Sequence, residues 1–293
     1  MNKKVVVFGG SGFMGSHVAD ALSEEGYDIT IVDIKPSSYL NHGQKMITGD
    51  ILNHDFVVEV VRDHDIVYHF AGIADISDCA KNPVETVKYN ILGTVNILDA
   101  CVKAKVERFM FASSAYVYSS YGYFYRSSKQ ACESLIEDYY NLYGLKYTSL
   151  RYGSLYGERA DERNSIYRLL KQAICTGKIQ YRGKGDEIRE FIHVQDAAKS
   201  SVVALDKSYE CQCIMLTGTQ VMKYSELLEM IQEMLNMDIK IEYLHSTNKA
   251  HYKITPYNFS PKLGKKLVVN PFIDMGQGLL QCMAEIYEKV HLS

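Results

Sequence analysis

The sequence predicts an α/β protein built on a doubly wound parallel sheet, with a smaller α/β lobe towards the C-terminus. Three observations carry this. Short apolar runs alternate with helical stretches through the first half of the 293 residues. The first run, Val5-Val6-Val7-Phe8, breaks directly into Gly9-Gly10-Ser11-Gly12-Phe13-Met14-Gly15 and then a helical pattern. The next, Ile29-Thr30-Ile31-Val32, ends on an acid, Asp33.

The glycine-punctuated turn comes first. Gly9, Gly12 and Gly15 are spaced three apart, with Phe13 and Met14 between the last two. Such a turn lets backbone approach a pyrophosphate closely, with the first N–H groups of the helix pointing at it. Asp33 follows about twenty residues on, where a dinucleotide site wants an acid for the adenosine ribose hydroxyls. Asp65 to Gly72 then reads as a strand ending in small residues, and Pro83, a good first-turn residue, opens a helix reaching Ala104. Arg108-Phe109-Met110-Phe111-Ala112-Ser113 is the next strand. Tyr125 to Tyr143 is helical and stops before Gly144, and Lys146 to Tyr152 is a further strand. In a sheet of this kind ligands collect at the C-terminal ends of the strands.

After Gly157 the pattern loosens. Glu158-Arg159-Ala160-Asp161-Glu162-Arg163 reads as a solvated loop. Helices near Ile166–Cys175, Val194–Leu205 and Tyr224–Leu235 alternate with short strands near Ile179–Tyr181 and Ile239–Tyr243. A nucleotide-binding domain is therefore expected over 1–157 and a substrate lobe over 158–293, with segments near 189–217 returning to the first. No internal repeat is visible.

Composition narrows the function. At 47% hydrophobic and 23% charged, the chain has an ordinary globular makeup. A net charge of -3 offers no basic field, so no nucleic-acid partner is expected. No apolar run approaches a membrane span, so no membrane association is expected either. Lys3-Lys4 with Val5 to Phe8 is too short for a leader's apolar core and reads as the first strand. The seven cysteines are scattered and odd in number; Cys211-Gln212-Cys213 lacks metal-ligand spacing and reads as buried thiols. The nine histidines do not cluster with acids, so no metal is expected. A reducing, cytoplasmic setting fits these features.

Chemistry enters with Tyr125-Arg126-Ser127-Ser128-Lys129, which puts a phenol and an ammonium four apart on one helix face. A neighbouring ammonium lowers a phenol from about 10 towards the working pH, making it a usable acid/base. The spacing alone is common, and Tyr167-Arg168-Leu169-Leu170-Lys171 repeats it. Tyr125 is set apart by Ser113 and Ser114, which end a strand at the ligand edge shortly before it. A serine hydroxyl there can hydrogen-bond the substrate oxygen that Tyr125 deprotonates. Tyr167 lies beyond the nucleotide-binding half and has no such serine. Tyr125, Lys129 and Ser114 are the candidate catalytic residues.

Here the sequence resembles the extended short-chain dehydrogenase/reductases, in the NAD-dependent epimerase/dehydratase branch acting on nucleotide sugars. The resemblance runs through nearly the whole chain. It rests on Gly9–Gly15, Asp33, Gly49-Asp50-Ile51, His69-Phe70-Ala71-Gly72, Asn90-Ile91-Leu92-Gly93-Thr94, Ser113-Ser114-Ala115-Tyr116-Val117-Tyr118 and Tyr125 to Lys129. It continues into Leu150 to Gly157, Gly183 to Val194 and the closing Lys262-Leu263-Gly264. It implies a Rossmann sheet holding NAD on Gly9, Gly12, Phe13, Met14, Gly15 and Asp33. Asp50 and Ile51 would flank the adenine, Phe70, Ala71 and Gly72 would line the dinucleotide, and Asn90 would help anchor it. Tyr152 would pack near the nicotinamide, and Lys129 would also bond its ribose. Arg189 would clamp the diphosphate of a nucleotide-diphosphate sugar, a task suited to a guanidinium fork; the plain alternative is an ion pair with Glu187 or Glu190. An Asn that commonly holds the diphosphate in the family appears here as Ser154, which joins Ser114 and Arg189 as an expected substrate contact. A homodimer packed through the helices near Pro83–Ala104 and Tyr125–Tyr143 is also implied, with Leu135, Ile136, Tyr139, Tyr140 and Tyr143 supplying apolar surface.

The resemblance also narrows the reaction. Dehydratases of the branch use an Asp-Glu pair directly after the strand-end serine or threonine, where this chain has Ala115 and Tyr116. Decarboxylases of the branch place a Glu near the same point, also missing here. The run instead looks like the 4-epimerases, which need reversible hydride transfer at C4 and a 4-keto sugar that turns over in the site. A nucleotide-sugar 4-keto reductase, sharing Tyr125 and Lys129, is the alternative; a non-catalytic NAD-binding protein would not need that pair. The segment from Val117 to Phe124 is shorter than usual, and Tyr118, Tyr121 and Tyr123 are candidates to face the sugar or to pack at the surface.

Overall fold

The computed structural model describes residues 2–235, 239–244 and 250–257, together with Leu280 and Met283. It divides into a compact unit ending at Phe259 and a second unit beginning at Ser260, to which only Leu280 and Met283, both exposed, belong among the described residues. Lys262-Leu263-Gly264 lie outside the described residues.

Seven parallel strands form the main sheet. In chain order the elements begin with β1 (Lys4–Phe8), α1 (Phe13–Glu24), β2 (Asp28–Asp33), β3 (Lys45–Thr48), α2 (His54–Val61) and β4 (Ile66–His69). A helical stretch follows in pieces: α3 (Ile76–Lys81), α4 (Pro83–Thr86), a π-helical turn over Val87–Leu92, and α5 (Gly93–Ala104). Then come β5 (Arg108–Ser114), a 3-10 turn over Ala115–Tyr118, α6 (Tyr123–Tyr143) and β6 (Tyr147–Tyr152). The later elements are β7 (Ser154–Tyr156), α7 (Ser165–Thr176), β8 (Lys178–Arg182), β9 (Ile188–His193), α8 (Val194–Val203), β10 (Gln212–Leu216), β11 (Gln220–Lys223), α9 (Tyr224–Leu235) and β12 (Lys240–Leu244).

The order across the sheet is β10-β6-β5-β4-β1-β2-β3. The alternation of side chains along β1 explains its unbroken apolar run. Val5 and Val7 enter a core with Val18, Leu22, Ala197 and Ala198 from α1 and α8, whereas Val6 and Phe8 enter another with Val57, Ile97, Leu98 and Ile136 from α2, α5 and α6. Each face is covered, so the four positions after the exposed Lys4 are all apolar.

The smaller lobe has its own core, in which Ile166, Leu169 and Ala173 of α7 meet Leu227, Leu228 and Ile231 of α9. Its strands form a three-stranded sheet, β11-β9-β7, and a parallel pair, β12-β8. Within 189–217, α8 packs on α1 and β10 pairs with β6 in the large sheet, while β9 stays in the three-stranded sheet.

Three sequence expectations change. The helix expected from Pro83 to Ala104 is interrupted by the π-helical turn, which begins four residues after Pro83. The charge run after Gly157 is not wholly solvated: Arg159 bridges to Asp20 of α1 at 2.7 Å and lies 4.7 Å over the Tyr39 ring, while Glu158 offers its carbonyl to His17 at 3.0 Å. Cys211 and Cys213 are only half-buried, and burial pushes the Cys213 thiol up to about 11. Among the described residues no cluster of histidine, cysteine and carboxylate could hold a metal, and no helix is long and apolar enough to cross a membrane.

Candidate active site at the carboxyl ends of the strands

β1 runs between β2 and β4, so the loops after β1 and β4 leave in different directions and open a crevice between them. Two glycines are fixed by that close approach. Gly9 has φ +79°, and a Cβ there would lie 2.5 Å from the Ala71 nitrogen; one on Gly15 would lie 2.3 Å from the Gly9 carbonyl oxygen. Gly12 opens α1 with no side-chain cap, and no acid occupies the first turn. The N–H groups there, around Phe13 and Met14, lack a partner within the helix and carry its positive dipole end. Asp33 stands beside them, its carboxylate accepting from the Ser11 N–H at 3.1 Å and the Lys35 N–H at 3.3 Å. A glycine cradle, an uncapped helix start and an acid at the end of β2 fit an NAD diphosphate and its adenosine ribose.

The other expected cofactor residues are distributed less evenly. Phe70 and Ala71 are tied to β1 through the Phe8 carbonyl, and Phe70 stacks on Tyr68. Gly72, at φ +143°, leaves room for the Asn90 side-chain oxygen, which a Cβ would meet at 2.7 Å. Asn90 sits in the π-helical turn and bonds both the N–H and the carbonyl of Ile73, at 2.7 and 3.0 Å. It therefore fixes the loop after β4 from below. Ile51 is turned into the core against Gly93, with its carbonyl taken by Asn96, and the Asp50 carboxylate caps the Leu52 N–H. Tyr152 is also in the core, hydroxyl on Ser201 at 2.7 Å and ring near Phe70.

Tyr125, Lys129 and Ser114 come together where β5 ends. Lys129 is buried; its ammonium donates to the Ala112 carbonyl at 2.7 Å and lies 6.0 Å from the centre of the Tyr125 ring. The expected lowering of the phenol is not found. Burial pushes Tyr125 up to about 12, with the Ser114 hydroxyl pulling the other way. Burial also draws Lys129 below the ordinary lysine value, so desolvation is the leading influence on both groups.

The two serines separate cleanly. Ser113 donates to Glu133 at 2.5 Å, and Glu133 holds Arg151 at 2.6 and 2.9 Å. Ser114 instead faces Tyr125 and caps the Tyr116 N–H at 3.3 Å. Glu133 follows Lys129 by one helical turn, a spacing visible in the sequence.

Arg189 makes no ion pair with Glu187 or Glu190. Glu187 binds the N–H groups of Lys184 and Gly185, and Glu190 bonds Tyr257. The Arg189 guanidinium is buried, donates to the carbonyls of Ile188 and Lys253, and lies 4.3 Å from the Tyr252 ring. Tyr252 also meets Ser154 and packs with its ring tilted against Tyr116, centroids 4.6 Å apart; the Tyr116 hydroxyl is 2.7 Å from His251 Nδ1. Tyr116, His251 and Tyr252 were not anticipated: no local pattern links position 116 to 251. Tyr118 turns away onto Arg151, Tyr123 is exposed at the start of α6, and Tyr167 is on the surface of α7 in the smaller lobe.

Comparison with known proteins follows the same outline. Residues 5–213 match the NAD dependent epimerase/dehydratase family. A Methanocaldococcus jannaschii protein provisionally named a UDP-glucose 4-epimerase is 29% identical, with 94% of this chain and 95% of that protein covered. The UDP-N-acetyl-alpha-D-glucosaminuronate decarboxylase of Bacillus cytotoxicus is 28% identical, covering 94% and 92%. Among solved structures, the UDP-N-acetylglucosamine 4-epimerase of Methanobrevibacter ruminantium, in complex with UDP-N-acetylmuramic acid, superposes with a TM-score of 0.79 at 28% identity, over 88% of this chain and 90% of that one.

Proposed function

The chain belongs to the NAD-dependent epimerase/dehydratase family, and we propose that it is a UDP-sugar 4-epimerase working through a 4-keto intermediate. The grouping of Tyr125, Ser114 and Lys129 at the end of β5, in the same parallel sheet whose β1 ends in the glycine cradle, is the observation that carries the reading. Relatives on both sides of the choice are at similar identity, so the site decides. A decarboxylase or dehydratase of this branch would need an acid where Ala115 and Tyr116 stand.

In this reading 1–157 hold NAD and the lobe built on α7, α9 and β9 holds the nucleotide sugar. Gly9, Gly12, Phe13, Met14, Gly15, Asp33 and the loop Phe70–Gly72, steadied by Asn90, bind the dinucleotide. NAD, when bound, supplies a hydride acceptor and a positive charge. Tyr125 takes the proton of the sugar 4-hydroxyl, and Ser114 donates to that oxygen as it becomes a carbonyl. Tyr125 takes the proton as its phenolate, the form that the Lys129 ammonium favours and that becomes the phenol when the proton arrives. Arg189, unpaired by any acid among the described residues, and Ser154 receive the diphosphate, and the keto sugar turns over before reduction on the other face. We also propose a cytoplasmic homodimer packed through α5 and α6, because Val87, Leu92, Leu142 and Tyr143 leave apolar surface exposed near them.

The test is a panel of UDP-, dTDP-, CDP- and GDP-sugars scored for interconversion at C4, with the cofactor content of the purified protein measured in parallel. Interconversion with NAD retained through many turnovers is expected. Net consumption of added NADH would make the protein a keto reductase, and no change in any sugar would overturn the enzymatic reading. Light scattering tests the dimer; a monomer mass rejects it.

A further inference from the structure

The segment after Gly157 starts from the smaller lobe's sheet and is fastened onto the cofactor half. Its root is fixed: β7 pairs with β9, and a Cβ on Gly157, at φ +136°, would lie 2.7 Å from Val194 Cγ1. The next two residues meet α1. His17 donates to the Glu158 carbonyl at 3.0 Å, and the Arg159 guanidinium pairs with Asp20 at 2.7 Å. Phe13, His17 and Asp20 follow one another at intervals of four and three, so they share one face of α1. The His17 ring meets the Phe13 ring edge-on at 6.2 Å. The segment is therefore bound along the helix face that begins with Phe13, one of the residues assigned to the dinucleotide.

The same guanidinium reaches the loop after Asp33, where it lies 4.7 Å over the centre of the Tyr39 ring. That loop joins β2 to β3 and is tied at both ends. Near Asp33, Ser11 donates to the Lys35 carbonyl at 2.9 Å; near β3, Asn41 and Gln44 donate to Asp20 at 2.6 and 3.0 Å. Asp20 thus gathers donors from the loop and from Arg159 on one carboxylate. Arg159 alone of these comes from the segment after β7, and it engages the loop at its middle, where Tyr39 is exposed. Its backbone sits at φ +64°, a left-handed conformation that a residue other than glycine keeps only where its surroundings impose it. Its Nη1 is buried without a hydrogen-bond partner among the described residues. Both features cost stability, and the contacts to Asp20 and Tyr39 hold them in place.

We propose that Arg159 is a positioning residue for the cofactor: by latching the Tyr39 loop to α1 from the smaller lobe, it slows release of NAD. The inference deepens the epimerase reading and rests on it, because an enzyme that returns its hydride to the same sugar gains by keeping one cofactor through many turnovers. Asp33, at the root of the loop, is the acid assigned to the adenosine ribose, and the Ser11 N–H joins it to the glycine turn opposite. The wall that the loop forms beside that ribose parts when the cofactor leaves. Parting it lifts the Tyr39 ring from the guanidinium and disturbs the Asp20 cluster. The attraction of a cation for an aromatic face needs the ring and not the phenol hydroxyl. Serving a carboxylate and a ring at once suits a flat guanidinium, whereas a lysine ammonium is a point charge that meets the carboxylate alone.

The experiment reads cofactor release with no sugar present. The full chain is loaded with NADH and mixed with a large excess of NAD, and the loss of bound-NADH fluorescence is followed in time. Release should quicken about tenfold in Arg159→Ala and about threefold in Tyr39→Ala, which loses the ring contact but keeps the Asp20 pair. Tyr39→Phe, which keeps the ring, should release at the wild-type rate. So should Arg163→Ala, which removes an exposed charge paired with Asp161 in the same segment. Release unchanged in Arg159→Ala overturns the proposal, as does release equally fast in Tyr39→Phe or Arg163→Ala. Should circular dichroism show Arg159→Ala unfolded, the two Tyr39 variants decide: fast release in Tyr39→Ala with normal release in Tyr39→Phe upholds the latch, and equal rates overturn it. Interconversion of UDP-sugars at C4 is scored separately. Quickened release in the variants with no interconversion by wild type upholds the latch and overturns the C4 reading; interconversion with release unchanged in the variants does the reverse.

Discussion

Glu133 sits where three demands on α6 meet. It accepts from Ser113, pairs with Arg151, and stands one turn beyond Lys129. The pair is nearly buried, with side chains 12% and 11% exposed for Arg151 and Glu133. Removing one charge from such a pair costs about 3–5 kcal/mol, because the other is left desolvated. Glu133→Gln should therefore lower unfolding free energy by roughly that amount in urea titration; a loss below about 1 kcal/mol would mean water already serves Arg151. His69 gives a pH effect of known sign. It is fully buried, and burial takes it down to about 3 from an ordinary 6.5. The unfolded chain binds a proton at 6.5 while the folded one refuses it, so stability is lost as pH falls from 6.5 towards 3. At pH 5 the loss is about 2 kcal/mol. His69→Gln, able to keep a bond to Thr94, should flatten melting temperature between pH 7.5 and 5; an unchanged slope assigns the effect elsewhere. Tyr125 acts oppositely: raised to about 12 from 10, it holds stability below pH 10 that is lost as pH rises through 12. Tyr125→Phe should cut turnover by about 100- to 10,000-fold with NAD affinity retained in titration. Near-normal turnover in that variant removes the phenol from the chemistry.

At the scale of elements, the turn from β1 into α1 tolerates nothing larger than hydrogen where backbone meets backbone. Gly15→Ala puts a methyl 2.3 Å from the Gly9 carbonyl oxygen, an atom that cannot rotate away. Forced overpacking costs about 1–3 kcal/mol, so NAD should bind about 10- to 100-fold more weakly by calorimetry; unchanged affinity would show that the cradle gives. This element was legible in the sequence because its physics is local: a strand buried on each face must be apolar throughout, and a close turn must be glycine. The ends of β2 and β5, marked by Asp33 and Ser114, were legible for the same reason. The π-helical turn at Asn90 was not, since α and π turns draw on the same residues and differ only in one hydrogen-bond step. Nor was the pairing of Tyr116 with His251 across 135 positions, which no period of 2 or 3.6 records. The raised pKa of Tyr125 was not legible either, because four-residue spacing reveals a neighbouring charge but not how dry the neighbourhood is.

For the whole molecule, the main sheet is assembled from distant stretches of chain. Its edge strand, β10, begins more than fifty residues after β6, on which it lies, and α8, just before it, covers α1. A fragment ending at Gly157 would leave β6 as a bare edge and strip Val194, Ala197 and Ala198 from the first core. Such a fragment should be recovered in the insoluble fraction or show a broad, uncooperative melt; a sharp transition would mark it as independent. The arrangement also dictates timing. A nascent chain emerging N-terminus first can pair β1 to β6 while still tethered to the ribosome. It must keep that unfinished flank from sticking to other polypeptides until α8 and β10, which ends at Leu216, have been translated. The interleaved order of strands thus places the hazardous interval of biogenesis before release, in the very half that carries the nucleotide cradle.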